Sequence, residues 1–383
     1  MTGRSPPNIP EPMQQKRPLR RGWTTGTCAT AAAKAAYAAL LSGVFPDPVE
    51  VTLPRGERVA FALAEAARDA DSARAGVVKD AGDDPDVTHG ALVRATVTHA
   101  PPGTGVVFRA GPGVGTITRP GLPLPPGEPA INPVPRQMIR TAIAEVAESH
   151  DTSGDIVLEI SIPDGEELAQ RTLNPRLGIV GGLSILGTTG IVVPYSCAAW
   201  IDSIHRGIDV ARAMGIQHIA GATGNTSEAA IRTLHDLPDV ALIEMGDFVG
   251  GMLKYLRANP VPRVSIAGGV AKLTKLAQGR LDLHSKRGEA NLTALASVAR
   301  AQGATDAIVE RIVGANTVAE AFGIAEHLAL GDAVATAAWG VAARALQPAD
   351  ILLEIVVFDR AGTLVGRAPF TVVHGGLPGR KRR

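Results

Sequence analysis

Hydrophobic residues in the first part of the chain recur in short runs separated by turns, a pattern typical of strands. An alternating pattern on both sides of residues 54–56 predicts a β-hairpin. Further strands are expected at "AGVVKD", "ALVRATVTHA" and "GDIVLEISIP". One helix is expected to begin near Pro135. Strands with few helices are typical of an α+β domain, which we expect to end near residue 175.

The hydrophobic pattern changes in the second part, where each apolar run is followed by a helical repeat. The apolar runs are "GIVVPYS", "QHIAGATG", "VALIEMG" and "RVSIAGG". Strands that alternate with helices predict a parallel sheet wrapped by helices. Helices then dominate from Ala290 to about Leu346, and "ILLEIVVFDRAGTLVGRAPF" predicts an antiparallel hairpin. The pattern leaves open which sheet this hairpin joins.

These patterns predict an α+β N-terminal domain followed by an α/β Rossmann-like domain with a parallel sheet. The expected divisions are a disordered N-terminal segment at 1–18, the α+β domain at 19–175, the Rossmann-like domain at 176–374 and a basic tail at 375–383. In the first domain, "GPGVGTITRPGLPLPPGEPAINPVP" is dense in glycine and proline and predicts a long functional loop.

Composition narrows the classes of function. A formal net charge of +1 and an aromatic content of 3% argue against a nucleic-acid binder. Only Cys28 and Cys197 are present, so we expect a cytoplasmic protein without a disulfide scaffold or a thiolate metal cluster, and no metal site. Residues 177–201 carry no charge, but their glycines and Pro194 interrupt the run. Buried strands are therefore expected there instead of a membrane span.

The segment "LRRGWTTGTCATAAAKAA" places two arginines and a Thr/Gly turn ahead of an alanine-rich helix. Thr25 or Thr27 is expected to cap the start of this helix, and Gly43 its end in a left-handed conformation. Unpaired N–H groups at a helix start attract anions. The residues alone leave two interpretations open: the threonines only cap the start of a tightly packed helix, or they cap it and the helix start also binds an anion.

Glycine-rich or acidic loops follow four of the expected strands, and they read "GTTG", "GATGNTSE", "EMGDF" and "AGGVAK". In open α/β sheets, ligands bind beyond the carboxyl ends of the strands. The loops lack a GxGxxG or Walker pattern, and glycines that only permit tight turns are the alternative for each. Asn225 and Glu228 have the spacing of a capping pair. The candidates for an adenosine-bearing ligand are Thr188, Thr189, Gly190, Gly221, Thr223, Gly224, Asn225, Glu228, Glu244, Asp247, Gly268 and Gly269.

The turn "VVKDAGDDPDVTHG" crowds four aspartates, a lysine and a histidine after a strand. It lacks the order of a calcium loop, and a solvated turn is the alternative. Because crowded carboxylates repel one another, we favour a polar site that supplies a proton acceptor. A second histidine, His284, lies in "LDLHSKRG" beside Lys286 and Arg287. A Ser/His hydrolase is disfavoured because a GxSxG motif is missing.

Seven of these motifs, in this order, resemble the CbiD family, the cobalt-precorrin-5B C1-methyltransferases of anaerobic-type cobalamin biosynthesis. The motifs are "RRGWTTGTCATAAAKAA", "VVKDAGDDPDVTHG", "NPRLGIVGGLSILGTTGIVVPYS", "GATGNTSE", "EMGDFVGGML", "AGGVAKLTKLAQG" and "LDLHSKRG". The resemblance covers about Leu19 to Gly366, and it departs from the family where Trp23 replaces a frequent tyrosine.

The resemblance implies methyl transfer from S-adenosylmethionine to carbon C1 of cobalt-precorrin-5B, a polyacid tetrapyrrole, to give cobalt-precorrin-6A. It favours the anion-binding interpretation of the first helix, and a homo-oligomer is compatible with it. The substrate-binding candidates are Arg20, Arg21, Thr24, Thr25, Gly26, Thr27, Lys79 and Asp80. The candidates for a catalytic proton acceptor are Asp83, Asp84, His89 and His284.

Two other functions stay open. One is a nucleotide-dependent dehydrogenase or kinase that uses the same strand-end loops, although the expected glycine motifs are missing. The other is a tetrapyrrole carrier without catalytic activity, which would bind pigment independently of a methyl donor.

Overall fold

The computed structural model describes residues 18–285 and 288–373. The predictions of a disordered segment at 1–18, apart from its last residue, of a tail at 375–383, and those on Lys286 and Arg287 lie outside the described residues. The helices are α1 Thr25–Ser42, α2 Pro133–Ser149, α3 Gly165–Ala169, α4 Asn174–Leu177, α5 Cys197–Ala213, α6 Asn225–His235, α7 Val249–Ala258, α8 Val270–Ala277, α9 Leu292–Ala301, α10 Asp306–Val313, α11 Val318–Ile324 and α12 Leu330–Leu346.

The strands are mostly short in the first part and longer in the second. They are β1 Gly22–Trp23, β2 Val49–Thr52, β3 Arg58–Phe61, β4 Glu65–Arg68, β5 Ser72–Val78, β6 Leu92–His99, β7 Val106–Ala110, β8 Gly113–Val114, β9 Thr116–Ile117, β10 Ile156–Ser161, β11 Ile179–Val180, β12 Gly182–Leu183, β13 Ile191–Val192, β14 His218–Ala222, β15 Leu242–Glu244, β16 Arg263–Gly269, β17 Leu352–Phe358 and β18 Leu364–Val372.

The first part is built on a five-stranded sheet in the order β4-β5-β6-β10-β7. Its neighbours are antiparallel except β10 and β7, which are parallel. The predicted hairpin is confirmed as the antiparallel pair β2–β3. The alanine-rich helix α1 is almost wholly buried against this sheet and α2, because small side chains allow close packing on all sides.

Helix α1 has a capping residue at each end. Thr24, and not Thr25 or Thr27, is the N-cap, so that prediction was wrong by one residue. Thr24 has extended backbone angles, and its Oγ1 accepts a hydrogen bond from the N–H of Thr27 at 3.2 Å. The predicted left-handed C-cap is confirmed at Gly43, whose φ is 81°.

The second part contains a five-stranded sheet in the order β15-β14-β16-β17-β18. Its first four strands are parallel, and β18 returns antiparallel to β17. Three of the four predicted strands, β14, β15 and β16, are therefore confirmed. The C-terminal hairpin β17–β18 joins this sheet and supplies its fourth parallel strand. The molecule is a mixed α/β protein in which both large sheets contain parallel pairs.

The prediction that "GIVVPYS" forms a strand of the parallel sheet was wrong. Only Ile191 and Val192 form a strand, and it pairs antiparallel with Gly22 and Trp23. Pro194 lies two residues after the end of this strand and cannot donate a ladder hydrogen bond, which limits the strand.

The whole segment 179–192 pairs with the first part. β11 pairs with β9, β12 with β8, and β13 with β1. The domain boundary near residue 175 stays a prediction, and this pairing favours a later boundary, between β13 and α5.

Two large hydrophobic cores hold the two parts. The first lies between α1, α2 and their sheet, and the second lies between the parallel sheet and the helices that follow its strands. In the second core α12 contacts the final hairpin very closely: a Cβ on Gly331 would lie 1.8 Å from the carbonyl oxygen of Val365. Glycine is therefore required at this position for the helix to pack on the sheet.

Candidate functional site

A cleft of about 470 Å³ opens at the carboxyl ends of β14, β16 and β17. Helices α6 and α8 begin at its wall, with Gly224 and Gly269 as N-caps that provide no side-chain hydrogen bond. A Cβ at either glycine would meet nothing within 4 Å. The side chains of Lys272 and Arg360 belong to the lining. The cleft thus combines two open helix starts with basic side chains, which suits an anionic group.

The predicted strand-end candidates separate into two groups. Thr223, Gly224, Asn225 and Gly269 line the cleft. Gly221 and Gly268, in contrast, serve packing within the sheet. A Cβ on Gly221 would lie 2.3 Å from the Sδ of Met252, and one on Gly268 would lie 2.0 Å from the Cδ2 of Leu273.

Glu228 does not form the predicted capping pair with Asn225. Gly224 is the N-cap, Asn225 is the first helical residue, and the Glu228 carboxylate binds Arg176 instead. The two hydrogen bonds measure 2.8 and 2.6 Å, and Glu228 is buried. The hydrogen bonds that the Arg176 guanidinium donates to Glu228, opposed by burial, raise the pKa of Arg176 above its ordinary value. A bidentate pair therefore joins α4 to the first turn of α6.

The loop after β15 carries the other two acidic candidates. Asp247 forms an ion pair with Lys272 of the cleft lining. The backbone carbonyl of Asp247 accepts a hydrogen bond from the N–H of Leu283 at 2.9 Å. Burial lowers the pKa of the neighbouring Lys275, whose Nζ donates to the Leu283 carbonyl at 3.2 Å. Glu244 is partly buried at the end of β15.

His284 follows Leu283 and therefore lies on the side of the loop after β15. It is exposed, and its N–H donates to Oδ1 of Asp282 at 3.1 Å. The neighbouring Leu283 forms backbone hydrogen bonds with Asp247 and with the side chain of Lys272. His284 therefore lies in the second part of the molecule.

Thr188, Thr189 and Gly190 lie at the start of α1 instead of in the cleft. The Gly190 carbonyl accepts hydrogen bonds from the N–H of Thr24 at 3.1 Å and from Oγ1 of Thr27 at 2.7 Å. The predicted assignment of these three residues to the adenosyl ligand therefore has no support in their position.

The predicted anion site at the head of α1 is largely filled by the protein. The N–H of Gly26 donates to the Leu186 carbonyl at 3.0 Å, and the N–H of Thr27 is taken by Thr24. Thr24, Thr25 and Thr27 are all buried. The buried helix start is thereby stabilised by its own loop, and the polar groups that remain exposed at this end of the molecule lie just outside it.

Arg20 and Arg21 lie in the segment that leads into β1. The guanidinium of Arg20 forms an ion pair with Asp80, and the N–H of Arg20 donates to Oδ2 of Asp83 at 2.6 Å. The hydrogen bonds from Arg20 and from the N–H of Gly82 lower the pKa of Asp80 to about 2. Arg21 is exposed and forms no ion pair with any of the residues that the structure describes. Arg21 is thus the cation available at this surface.

The aspartates of the turn after β5 each hold a neighbouring group. Asp80 and Asp83 hold Arg20, and Oδ1 of Asp84 accepts from the N–H of Tyr195 at 2.7 Å. Asp86 holds Lys79, as described next. The mutual repulsion of the carboxylates is therefore offset by the cations and N–H groups that they bind. This arrangement agrees with the alternative interpretation of the segment as a structural turn.

Lys79 is buried, and its Nζ donates to Oδ2 of Asp86 at 2.5 Å and to Oγ1 of Thr88 at 2.7 Å. Burial works against ionisation of Asp86, but the charge and the hydrogen bond of Lys79 still hold the pKa of that carboxyl below its ordinary value. Lys79 therefore stabilises the turn, and its burial does not support the predicted contact with substrate.

His89 is exposed at the end of the same turn. Its Nδ1 accepts a hydrogen bond from the N–H of Ala81 at 3.1 Å. In a neutral imidazole the remaining proton then resides on Nε2. The outer nitrogen of His89 is therefore a hydrogen-bond donor, whereas a proton acceptor would need a free lone pair there.

Three features of this region were not predicted from the sequence. They are the bidentate partner Arg176, the cleft residues Lys272 and Arg360, and an exposed apolar segment at 186–200. The basic residues carry no local signal, because only the fold brings them to the carboxyl ends of the strands. The uncharged run at 177–201 was the available signal for the apolar segment.

None of the described helices has the length and apolar character that a membrane crossing requires. The family model described as CbiD matches residues 12–194, and the one described as CbiD, C-terminal domain, matches residues 282–369.

Curated relatives match over nearly the full length. A protein of Agrobacterium fabrum is 63% identical over 94% of this chain and 96% of its own. One of Bradyrhizobium sp. is 60% identical over 96% of this chain and 98% of its own. Both are named cobalt-precorrin-5B C(1)-methyltransferase.

Among solved structures, a cobalamin biosynthesis protein (cbiD) from Archaeoglobus fulgidus is 30% identical and covers 66% of this chain and 77% of its own, with a TM-score of 0.38. Given the identity and coverage of the curated relatives, the chain belongs to the CbiD family.

Proposed function

We propose that this chain transfers a methyl group from S-adenosylmethionine to carbon C1 of cobalt-precorrin-5B, giving cobalt-precorrin-6A in cobalamin biosynthesis. The observation that carries the proposal is the near full-length similarity, at 60% identity and above, to relatives that bear the name of this reaction. The geometry supports a division of labour between two surfaces, one for the methyl donor and one for the tetrapyrrole.

The donor is assigned to the cleft beyond β14, β16 and β17, with the second part acting as a Rossmann-like domain. The N-termini of α6 and α8, together with Lys272, would receive the carboxylate of the methionyl group. Glu244, at the end of the neighbouring strand β15, would accept hydrogen bonds from ribose hydroxyls. In this assignment Thr223, Gly224, Asn225 and Gly269 contact the methyl donor. Gly221 and Gly268 have a structural role in the packing of the sheet.

The tetrapyrrole is assigned to the surface around Arg20, Arg21 and His89. Carboxylates on the ring would bind the exposed guanidinium of Arg21 and the Nε2–H of His89 by charge-assisted hydrogen bonds. The aspartates of the turn hold this surface in shape through Arg20 and Tyr195. In this assignment Asp83 and Asp84 are positioning residues, and not proton acceptors.

The reaction requires little covalent help from the protein. A new bond forms between C1 and the methyl carbon as the bond from that carbon to sulfur breaks, and the bonding electron pair stays on sulfur. Since the sulfonium is already activated, the protein contributes mainly by aligning the two reactants and excluding water. The two surfaces must therefore present their ligands to each other across the segment that joins them.

The test is incubation of the purified protein with cobalt-precorrin-5B and a donor carrying a ¹³C-labelled methyl group. We expect the product to gain one methyl group by mass spectrometry and the label to appear at C1 by NMR. Tight pigment binding without transfer would support the carrier instead. Binding of a nicotinamide or nucleoside triphosphate, with none of S-adenosylmethionine, would support the dehydrogenase or kinase.

A further inference from the structure

An exposed apolar segment runs between the two proposed binding surfaces. The side chains of Leu186, Val193, Tyr195 and Trp200 are all exposed to solvent, with 67% of Tyr195 and 43% of Trp200 accessible. The protein contains three tryptophans and three tyrosines, so Tyr195 and Trp200, five residues apart, are two of these six side chains. Clustered exposed apolar side chains on a protein surface commonly mark a binding site.

The protein holds this segment in place at both ends. The N–H of Tyr195 donates to Oδ1 of Asp84 at 2.7 Å, which attaches the segment to the polar turn. Nε1 of Trp200 donates to the Glu244 carbonyl at 3.3 Å, which attaches it to the carboxyl end of β15. Tyr195 has a φ of 56°, a left-handed conformation that is unfavourable for a bulky side chain. The exposed position of this ring is therefore maintained at a conformational cost.

Positive charge adjoins the apolar side chains. In the ladder between β1 and β13, Gly22 is opposite Val192, so continuing the register by one residue brings Arg21 opposite Val193. Arg21 has no ion-pair partner in the described part of the chain. The combination of exposed apolar side chains and an adjacent guanidinium without an ion-pair partner complements a ligand with an apolar face and an anionic rim.

We propose that Val193, Tyr195 and Trp200 form a platform on which the face of the tetrapyrrole macrocycle lies, while Arg21 binds a carboxylate at its edge. This inference rests on the proposed function and adds the residues that hold the ring between the polar turn and the donor cleft. Because the platform reaches from Asp84 to Glu244, a macrocycle lying on it would point one edge toward the carboxyl end of the parallel sheet, where the donor is assigned.

Cysteine alkylation provides a direct test in the unmodified protein. Cys197 is exposed and lies between the two aromatic platform residues, whereas Cys28 is buried. We expect cobalt-precorrin-5B to slow the reaction of Cys197 with N-ethylmaleimide by about tenfold at saturation, in proportion to the bound fraction. S-adenosylmethionine alone should leave the rate unchanged. Saturation with the tetrapyrrole without any change in the Cys197 rate would overturn the platform.

Substitutions test the same proposal by kinetics. Tyr195→Asn removes the ring but keeps a residue that tolerates left-handed angles, so folding should be preserved. We expect KM for the tetrapyrrole to rise about tenfold in this variant and in Trp200→Leu, since each substitution removes an aromatic ring on which a flat ligand can stack. The dissociation constant of S-adenosylmethionine should not change in Tyr195→Asn. Leu364→Ala, which removes an exposed apolar side chain from β18, is the matched control and should behave as the wild type.

The two proposals fail in different ways. A wild-type protein that does not methylate cobalt-precorrin-5B contradicts the proposed function. A wild-type protein that methylates it, with unchanged KM in both platform variants, leaves the function intact and contradicts the platform.

Discussion

At the scale of single residues, the role of His89 follows from one hydrogen bond. Because Nδ1 accepts from the N–H of Ala81, the outer Nε2 carries the proton and acts as a donor. His89→Gln places an amide N–H near the position of Nε2–H, whereas His89→Leu removes the donor. We expect the leucine variant to raise KM for the tetrapyrrole about tenfold and the glutamine variant to change it much less. Steady-state kinetics at saturating donor would measure this.

A proton-acceptor role for His89 gives a different result in the same experiment. Neither glutamine nor leucine can accept a proton from the substrate, so both variants would then lose kcat to a similar extent. Equal losses of kcat in the two variants would therefore restore the catalytic interpretation of the polar turn.

A second residue-scale effect concerns pH. On the parallel sheet, Nε2 of His218 lies 2.9 Å from Oγ of Ser265, near His235 and the fully buried Glu354. Burial, followed by the charge of His235, lowers the pKa of His218 to about 4 from its ordinary value of 6.5, although Glu354 opposes the shift and Arg263 adds to it. The unfolded chain therefore binds a proton more readily than the folded protein between these two values.

The contribution of His218 to the free energy of unfolding is complete above about pH 6.5 and is lost as the pH falls toward 4. His218→Gln keeps a donor for Ser265 but cannot titrate, so its urea-unfolding profile should be flatter in this range. His327→Gln, at an exposed histidine, is the control. A profile for His218→Gln that runs parallel to the wild type would contradict the prediction.

At the scale of elements, the ends of α1 allow a clean test of backbone conformation. Gly43 ends this helix at φ 81°, while Gly314 ends α10 at φ −83°, where any residue is accommodated. A Cβ at Gly43 would meet only Nη1 of Arg68, at 3.8 Å, so the cost of a substitution there is conformational and not steric. Gly43→Ala should reduce the free energy of unfolding by about 1–2 kcal/mol, and Gly314→Ala should leave it unchanged or raise it. Chemical denaturation measures both, and equal effects would contradict the prediction.

The length of each helix or strand also determines whether it could be predicted from the sequence. Long periodic segments such as α5 and α12, and the strands β14 to β16, carry enough repeats to be recognised. The two-residue strand β13 carries too few, and its pairing with β1 joins residues that are 168 positions apart along the chain, Trp23 and Ile191. The cap of α1 shifted by one residue because neighbouring threonines are equivalent in sequence and only the fold selects Thr24.

The candidate site shows the same limit more strongly. Glycines beside a strand end look alike in sequence, but Gly224 opens onto the cleft while Gly221 is surrounded by methionine sulfur atoms. Likewise, the aspartates of the turn could be identified as unusual, but their partners Arg20 and Tyr195 are distant in sequence. The chemistry of a site can therefore be anticipated from residue types, whereas the availability of each group depends on its three-dimensional partners.

At the scale of the whole molecule, the pair Arg176–Glu228 connects the two halves. Arg176 belongs to α4, which precedes the strands that pair with the first part, and Glu228 lies in the first turn of α6, which begins at the donor cleft. Glu228 is 8% exposed, so loss of Arg176 would leave a nearly unsolvated carboxylate whose remaining cation, Arg232, lies 3.9 Å away. Loss of one member of such a pair typically costs about 3–5 kcal/mol, much more than for an exposed pair.

We therefore expect Arg176→Gln and Glu228→Gln each to lower the free energy of unfolding by about 2–4 kcal/mol. Each variant should also slow single-turnover methyl transfer, because the donor cleft and the tetrapyrrole surface must be held in register. The exposed pair Arg58–Glu50 in the hairpin β2–β3 is the matched control, and Arg58→Gln should change stability by less than about 1 kcal/mol.

The double variant Arg176→Gln/Glu228→Gln removes both charges of the pair together, so it should recover part of the stability lost in each single variant. If it recovered stability without recovering transfer, the ionic link itself would be required to align the two reactants. If instead the single variants transferred the methyl group at the wild-type rate despite their lower stability, the connection would be structural only, and alignment would have to come from the platform segment between β13 and α5.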